Sequence, residues 1–285
     1  MNLLVHLRLH FQLLLAPVYL WGWLISGGGL NPAVVLGFVA FHVFLYGGVT
    51  AFNSYYDRDV GPVGGLEHPP PATSTLLPFS VLVQGVGWVL AAFVNGLFAL
   101  AYGVFVVLSV AYSHPRIRLK AHPIPSLAVV GLGQGALAFV AAWAAARGEL
   151  ASAFSPDGAL GAVTAVFLIL ALYPLTQLYQ IDEDAGRGDR TLAVAWGPGP
   201  CFVFSLICTL VGGATMLSVV ARRFGPLDAG VVAIGLTFQV AAVVWLRNTF
   251  KLEHIVTTYR AVMRLNTISA GALGAYLVAR LSMSL

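Results

Sequence analysis

Charge is scarce in this sequence. Only 9% of its 285 residues are Asp, Glu, Lys or Arg, against 59% hydrophobic, too little to clothe a water-soluble surface. A mean hydropathy of +0.86 over the whole chain points instead to repeated membrane spans. Cysteine is nearly absent. Cys201 and Cys208 stand a heptad apart in one apolar run and read as small buried hydrophobes, which argues against a disulfide framework or a thiolate metal site. No long basic stripe exists either: the net charge is +4, and the basic residues sit beside acids in short loops, which speaks against nucleic acid as a partner. Low-complexity tracts and short-period repeats are missing as well. The N-terminal apolar segment, with one Arg before it and Gly27-Gly-Gly29 after it, reads as a first span rather than a cleaved signal.

What is there in quantity is apolar sequence in span-length runs. At ~17 to 25 residues per spanning helix, nine are expected, at roughly 10–27, 32–53, 75–95, 97–113, 124–146, 159–180, 200–221, 228–247 and 265–283. Gly and Pro mark several of their ends, and Asn95-Gly96 reads as a tight hairpin. The Gly and Ala content of Gly131-Leu-Gly-Gln-Gly135 and Gly271-Ala-Leu-Gly274 suits close helix packing. The expected fold is all-α: a polytopic membrane bundle of nine helices forming a single integral-membrane domain over 1–285. With a cytoplasmic N-terminus, the inner loops collect 11 of the 15 Lys and Arg residues, the asymmetry that orients membrane proteins.

The acids do not follow from topology, because carboxylates have little part in setting it, yet eight of the 11 fall on the same predicted cytoplasmic side. Two clusters account for most of them. One, in Ala51-Phe-Asn-Ser-Tyr-Tyr-Asp-Arg-Asp-Val-Gly-Pro-Val-Gly-Gly65, puts Asn53, Asp57 and Asp59 at the end of the second span. The other, in Tyr179-Gln-Ile-Asp-Glu-Asp-Ala-Gly-Arg-Gly-Asp189, ends the sixth. Carboxylates at the edge of hydrocarbon are costly and persist where a cation, a counter-charge or a water-filled cavity holds them. Asn53 and Asp57 are four apart and share a helix face. Asp182 and Asp184 cannot both point one way on a regular helix, which places the second cluster where a helix ends. Two groups of hard oxygen donors facing across a cavity suit Mg²⁺, which takes few protein carboxylates and completes its shell with water and substrate phosphates.

Basic residues converge on the same side. Lys120, Arg116 and Arg118 in the loop after the fourth span, Arg190 after the second cluster and Arg8 in the first helix are candidates to neutralise phosphate oxygens. Preorganised cations of this kind meet the charge that grows on a departing diphosphate. Aromatic faces steady the positive carbon left behind, by ~0.5 to 2 kcal/mol per ring. Tyr55, Tyr56, Tyr112, Tyr173 and Tyr179 lie near the predicted cytoplasmic ends.

These two clusters, their placement after the second and sixth of nine helices, and the intervening Tyr112-Ser-His-Pro…Leu119-Lys120 loop resemble the UbiA superfamily of intramembrane prenyltransferases. Asn53 and Asp57 match the first two positions of that family's Asn-x-x-x-Asp-x-x-x-Asp motif, and the third falls on Gly61, with Asp59 two residues early. In the second motif, Asp-x-x-x-Asp-x-x-x-Gly followed shortly by Ser or Thr, Asp184, Gly188 and Thr191 match. The first acid falls on Gln180, with Asp182 and Glu183 close by. An Arg-Pro that usually follows the first motif is at best His68-Pro69. Arg8 and Lys120 resemble the family's N-terminal Arg and loop Lys.

The resemblance implies a central cavity open laterally to lipid and Mg²⁺-dependent transfer of an isoprenyl chain from its diphosphate to a small hydrophobic or aromatic acceptor, a quinone precursor being favoured. It implies Asp57, Asp184 and Lys120 as the reacting centre, with Asn53, Asp57, Asp59, Asp182 and Asp184 toward the metal. Asn53, Arg8, Tyr112, Arg116, Arg118, Tyr179 and Arg190 are implied to contact substrate. A membrane terpene cyclase, which quenches the cation within the substrate, and a transporter using the acids as a cation relay are the competing expectations.

Overall fold

Proline begins five of the nine spans. Pro32, Pro123, Pro156, Pro198 and Pro226 each occupy the first turn of a helix, where the missing N–H has no intrahelical partner to lose and the fixed φ favours the helical turn. Side-chain caps reinforce three starts. Asn31 Oδ1 accepts from Val34 N at 2.9 Å, Asn95 Oδ1 from Phe98 N at 2.9 Å, and Ser155 Oγ from Gly158 N at 3.2 Å, each relieving an orphan donor. Asn95 also donates to Ala144 O at 2.8 Å, so the predicted hairpin is pinned to a neighbouring helix.

The computed structural model describes residues 3–284; residues 1, 2 and 285 of the expected domain lie outside that range. Among the described residues nine helices are long and apolar enough to cross a membrane: α1 Leu4–Ser26, α2 Pro32–Asp57, α3 Leu76–Val94, α4 Gly96–Ser113, α5 Pro123–Arg147, α6 Pro156–Gln177, α7 Pro198–Phe224, α8 Pro226–Thr249 and α9 Ile255–Met283. No extended strand is present among them. Consecutive helices pack on one another, α6 on α7 most extensively, and α9 returns to α1, giving an all-α bundle whose odd-numbered helices start, and even-numbered helices end, on one face.

Two ends differ most from the hydropathy reading. The first helix starts earlier, at Leu4, with a break at Arg8 (φ +48°). The ninth begins at Ile255 rather than 265, because Arg260 and Arg264 lower the local hydropathy without interrupting the helix; Arg260 pairs with Glu67 at 2.6 Å.

An aromatic core fills the half of the bundle remote from the acid clusters. Tyr19 and Trp21 of α1, Phe41 and Tyr46 of α2, Phe98 and Tyr102 of α4, and Phe139 and Trp143 of α5 are all fully buried. Phe41 meets Tyr46, Phe98, Tyr102 and Phe105 edge-on, the arrangement ring quadrupoles favour. Close backbone approach makes this packing possible at two glycines. A Cβ on Gly22 would lie 2.4 Å from Phe139 O, and one on Gly135 would lie 2.6 Å from Val166 Cα. The expectation for Gly271 and Gly274 is corrected. Among the described residues nothing lies within 4 Å of a Cβ at Gly271, and only Pro17, at 3.9 Å, approaches Gly274, so this face of α9 has no close neighbour among them to need small residues.

Beside the core, α1, α6, α7, α8 and α9 leave a cavity of about 220 Å³. Its walls are apolar, among them Pro17, Ile169, Met216, Leu236, Phe238 and Leu273, with Gln239 and Ser269 hydrogen-bonded to each other at one side.

Candidate functional site

The two acid clusters meet because two helices stop at the same face. α2 ends at Asp57, where Arg58 takes a left-handed conformation (φ +52°), so Asp57 is the last helical residue and Asp59 follows the turn. α6 ends at Gln177, with Pro174 removing a backbone donor in its last turn, and the chain restarts as a short helix, Ile181–Gly186. Asp57 and Asp59 are each 8% exposed, Asp184 6% and Asp189 2%. Four carboxylates so deeply buried need partners.

Three basic side chains supply them. Lys120 Nζ bonds Asp57 Oδ2. Arg118 grips Asp189 through two bonds of 2.6 and 2.7 Å and reaches Asp57 Oδ1 at 3.4 Å. Arg187 joins the clusters: its Nη1 donates to Asp59 Oδ1 at 2.8 Å and to Asp57 O at 3.5 Å, while its Nη2 donates to Asp184 Oδ1 at 2.6 Å. One planar guanidinium therefore touches both remote segments, a task suited to its fixed fork of donors.

A second layer holds the loop after α2 against α1. Arg8, 4% exposed, donates to Ser54 Oγ at 2.6 Å and to Gly64 O at 3.3 Å. Gly64 and Gly65 press on Phe11, and a Cβ on Gly65 would lie 2.6 Å from the Phe11 Cβ. Gly65 also adopts φ +84°, a conformation open to glycine at little cost. Arg8, Arg58 and Arg118 are the only non-glycine residues with positive φ among those described. All three lie at this mouth, and such backbone strain, about 1–3 kcal/mol per residue, clusters at functional sites.

The electrostatics follow from burial. Loss of water pushes the Asp184 carboxyl up to about 6, against the opposing pull of Arg187. Burial and then the neighbouring Asp57 raise Asp59, with Arg8, Arg187 and Lys120 opposing. At Asp189 burial also disfavours the charge, but the bonds and fields of Arg118, Lys120 and Arg187 outweigh it and hold the carboxyl below its usual range. The mouth thus sets four buried carboxylates, Asp57, Asp59, Asp184 and Asp189, against four cationic side chains, Arg8, Arg118, Lys120 and Arg187.

Of the residues singled out in the sequence, Asp57, Asp59, Asp184, Lys120, Arg118 and Arg8 come together here. Asn53 lies one turn up α2 from Asp57, with Nδ2 donating to Ser113 Oγ at 3.1 Å; with its amide nitrogen so engaged, the amide oxygen is the atom it could offer a cation. Tyr112 and Tyr173 share a hydrogen bond of 2.8 Å within the field of Asp184. Tyr179 is buried edge-on to Tyr259 at 5.2 Å, with a hydroxyl that has no hydrogen-bond partner.

Asp182, Arg116 and Arg190 stand outside this ion-pair cluster: all three are exposed, and none makes a side-chain ion pair among the described residues. Asp182 is two positions from Asp184 on the short helix, and so points the opposite way. Arg190 joins the site only through its backbone N–H, which donates to Ala121 O at 2.9 Å.

Arg187 and Asp189 are site residues that the sequence pattern did not single out. Their signal was the i, i+3 spacing of Asp184 and Arg187 on a short helix and the alternation of charge in Asp184-Ala-Gly-Arg-Gly-Asp189.

The donor set fits Mg²⁺. Oδ2 of Asp59 is buried with no hydrogen-bond partner among the described residues, and the acidic donors are all hard oxygens. Among the described residues no three His, Cys, Asp or Glu side chains lie close enough to cage a metal by themselves, so an ion here would need substrate or water oxygens to complete its shell, as Mg²⁺ commonly does.

The family model for the UbiA prenyltransferase family matches residues 14–268. The chain belongs to the UbiA prenyltransferase family. Among curated relatives, a protoheme IX farnesyltransferase of Aeropyrum pernix is 29% identical over 150 residues, covering 49% of this chain and 47% of the relative; the match thus spans about half the length of that protein. Solved structures of UbiA homologues share the fold. One from Archaeoglobus fulgidus, bound to GPP and Mg²⁺, superposes with a TM-score of 0.71 at 20% identity, covering 99% of this chain and 100% of that one. An apo structure from Aeropyrum pernix K1 gives 0.69 at 19% identity, over 95% and 97%. As a UbiA family member this chain is an integral, multi-pass membrane protein, and its acid mouth lies at the ends of α2 and α6, where the family resemblance in sequence placed it.

Proposed function

We propose that this chain transfers an isoprenyl group from its diphosphate to a small hydrophobic or aromatic acceptor, with Mg²⁺ as cofactor and with the acid mouth on the cytoplasmic side. The observation that carries the reading is the convergence of Asp57 and Asp184, 127 positions apart in sequence, on one cationic cluster at one bundle face. A magnesium ion bound through Asp57, Asp184, Asp59 and the Asn53 amide would supply positive charge to the diphosphate oxygens. Lys120, Arg118 and Arg187 are close enough to exchange a carboxylate partner for a phosphate oxygen, and they would bear the charge that develops on the leaving group. Arg8, behind the loop, keeps the 59–65 segment in place.

Ionisation of the allylic C–O bond leaves positive charge on the departing carbon. The Tyr112–Tyr173 pair and Tyr179, both near Asp184, present ring faces and hydroxyls of the kind that steady it. The acceptor then forms the new bond to that carbon and gives its proton to the departing diphosphate or to water, and the diphosphate is released from Lys120, Arg118 and Arg187. The apolar cavity among α1, α6, α7, α8 and α9 suits the isoprenyl tail. Gly235 lines it and has open space where a Cβ would stand. Filling that space with Gly235→Phe is expected to lower kcat/KM for geranylgeranyl diphosphate at least tenfold more than for dimethylallyl diphosphate, measured as competing substrates.

The test of the function itself is to incubate the purified protein in lipid nanodiscs with Mg²⁺ and geranyl, farnesyl or geranylgeranyl diphosphate, with and without aromatic acceptors, and to assay diphosphate release. Acceptor-dependent release supports transfer. Cyclic hydrocarbon formed without acceptor would reassign the chain as a cyclase, and no release from any allylic diphosphate would contradict the reading.

A further inference from the structure

Glu183 belongs to the second acid cluster, yet its carboxylate serves the first. Its Oε1 accepts from Val60 N at 2.8 Å and its Oε2 from Gly61 N at 3.2 Å, spanning more than 120 positions of sequence. Backbone N–H groups bonded to an ionised carboxylate make short, charge-assisted contacts, and two on one carboxylate fix its orientation as well as its position. Arg187 Nη1 stands 3.5 Å from the same Oε1 while Arg187 holds Asp59 and Asp184, so the segment 59–61 is tied to the short helix Ile181–Gly186 from two directions.

Gly61 is the seat for this contact. Its φ is not in the left-handed region, so backbone conformation does not call for glycine there; the close approach of the Glu183 carboxylate is what a side chain would disturb. A Cβ at 61 would lie 3.0 Å from Glu183 Oε2, tighter than ordinary van der Waals contact, and an aspartate would add a like charge beside it. Position 61 is also where the first motif would carry its last acid.

We infer that Glu183 is a positioning residue that latches the loop after α2 onto the second acid cluster, and that Gly61 is the residue that admits it. The latch fixes Asp59 next to Arg187. Its contribution to turnover rests on the diphosphate reading above; its contribution to the structure does not.

The experiment has two readouts on the protein in nanodiscs: hydrogen exchange at the Val60 and Gly61 amides, and steady-state kinetics with geranylgeranyl diphosphate and Mg²⁺. Glu183→Ala is expected to speed exchange at both amides at least tenfold while amides of the α2 interior stay protected, and to raise KM for the diphosphate about tenfold with a smaller change in kcat. Glu183→Gln, which keeps one accepting oxygen, should recover more than half of each loss on a logarithmic scale. Gly61→Asp should reproduce the Glu183→Ala phenotype. The double variant should be no worse than Gly61→Asp alone, because both changes break one contact. Unchanged amide exchange in Glu183→Ala, or losses that multiply in the double variant, would overturn the latch. If the wild type releases no diphosphate, the exchange arm still decides the latch, and only the reading of function fails.

Discussion

Replacing Arg187 with alanine is expected to lower kcat/KM for the isoprenyl diphosphate by two to three orders of magnitude. Among the described residues its guanidinium is the only side chain that pairs with Asp59 and Asp184 together. Removing it leaves two buried carboxylates with one cation fewer between them. Removing one preorganised donor that meets developing charge typically costs about 10²–10³ in rate, and Arg187 keeps only 19% of its side chain exposed. Arg187→Lys retains the charge but not the fork, so it is expected to keep one of the two contacts and fall between wild type and alanine. A fall in kcat/KM with an unchanged size-exclusion profile in detergent distinguishes a failure at the mouth from unfolding. Wild-type activity in Arg187→Ala would remove this residue from the account.

The second large effect is expected at Asp57. Asp57→Asn preserves shape while removing the charge that holds Lys120 and draws Arg118. With no carboxylate at the end of α2, the remaining metal-facing oxygens come from the Asn53 amide and from Asp59 and Asp184, each of which gives one oxygen to Arg187. Diphosphate release should fall at least a hundredfold, and raising Mg²⁺ should recover only part of it, since a saturating cation cannot restore the lost ligand. The freed Lys120 predicts a further signature. Binding of inorganic diphosphate without metal should weaken less in Asp57→Asn than in Lys120→Ala, because the lysine is released toward the phosphate in one and absent in the other. The measurement is isothermal titration with inorganic diphosphate in the presence and absence of Mg²⁺.

Much of this arrangement was legible in the sequence for a simple reason. Apolar runs of span length betray helices that lipid must surround, and a carboxylate at the end of such a run is too costly to persist without a cation or a wet cavity to hold it. The ends of α2 and α6 were therefore visible through Asp57 and Asp184. Where hydropathy and helicity part company, the reading slipped: Arg260 and Arg264 sit in a true helical turn of α9 but depress its hydropathy, and the helix begins ten residues before the apolar run. Which of two oppositely facing residues turns inward was equally hidden. Asp182 and Asp184 look alike in sequence, yet only the latter is buried, because a helix that restarts at Ile181 after a three-residue break sets a phase that composition does not encode.

Arg187 stood out less in the sequence because its role is tertiary. Only its i, i+3 spacing from Asp184 distinguishes it locally from Arg190, three residues on, which is exposed. The glycines divided along similar lines: Gly22 and Gly135 meet a neighbouring backbone, whereas Gly271 meets nothing. Small residues permit close packing, but a partner helix must be there to use it.

The central claim is that two distant helix ends form one receptacle for a metal-bound diphosphate. The most direct test is an experimental structure of the protein in lipid nanodiscs with Mg²⁺ and geranylgeranyl thiolodiphosphate, which resists ionisation. The account predicts diphosphate density between Asp57 and Asp184, with Lys120 and Arg187 turned from carboxylate to phosphate and the tail running into the cavity beside Gly235. Diphosphate density at the other bundle face, beside Asp157 and Arg222, or none at the acid mouth despite saturating ligand, would contradict it.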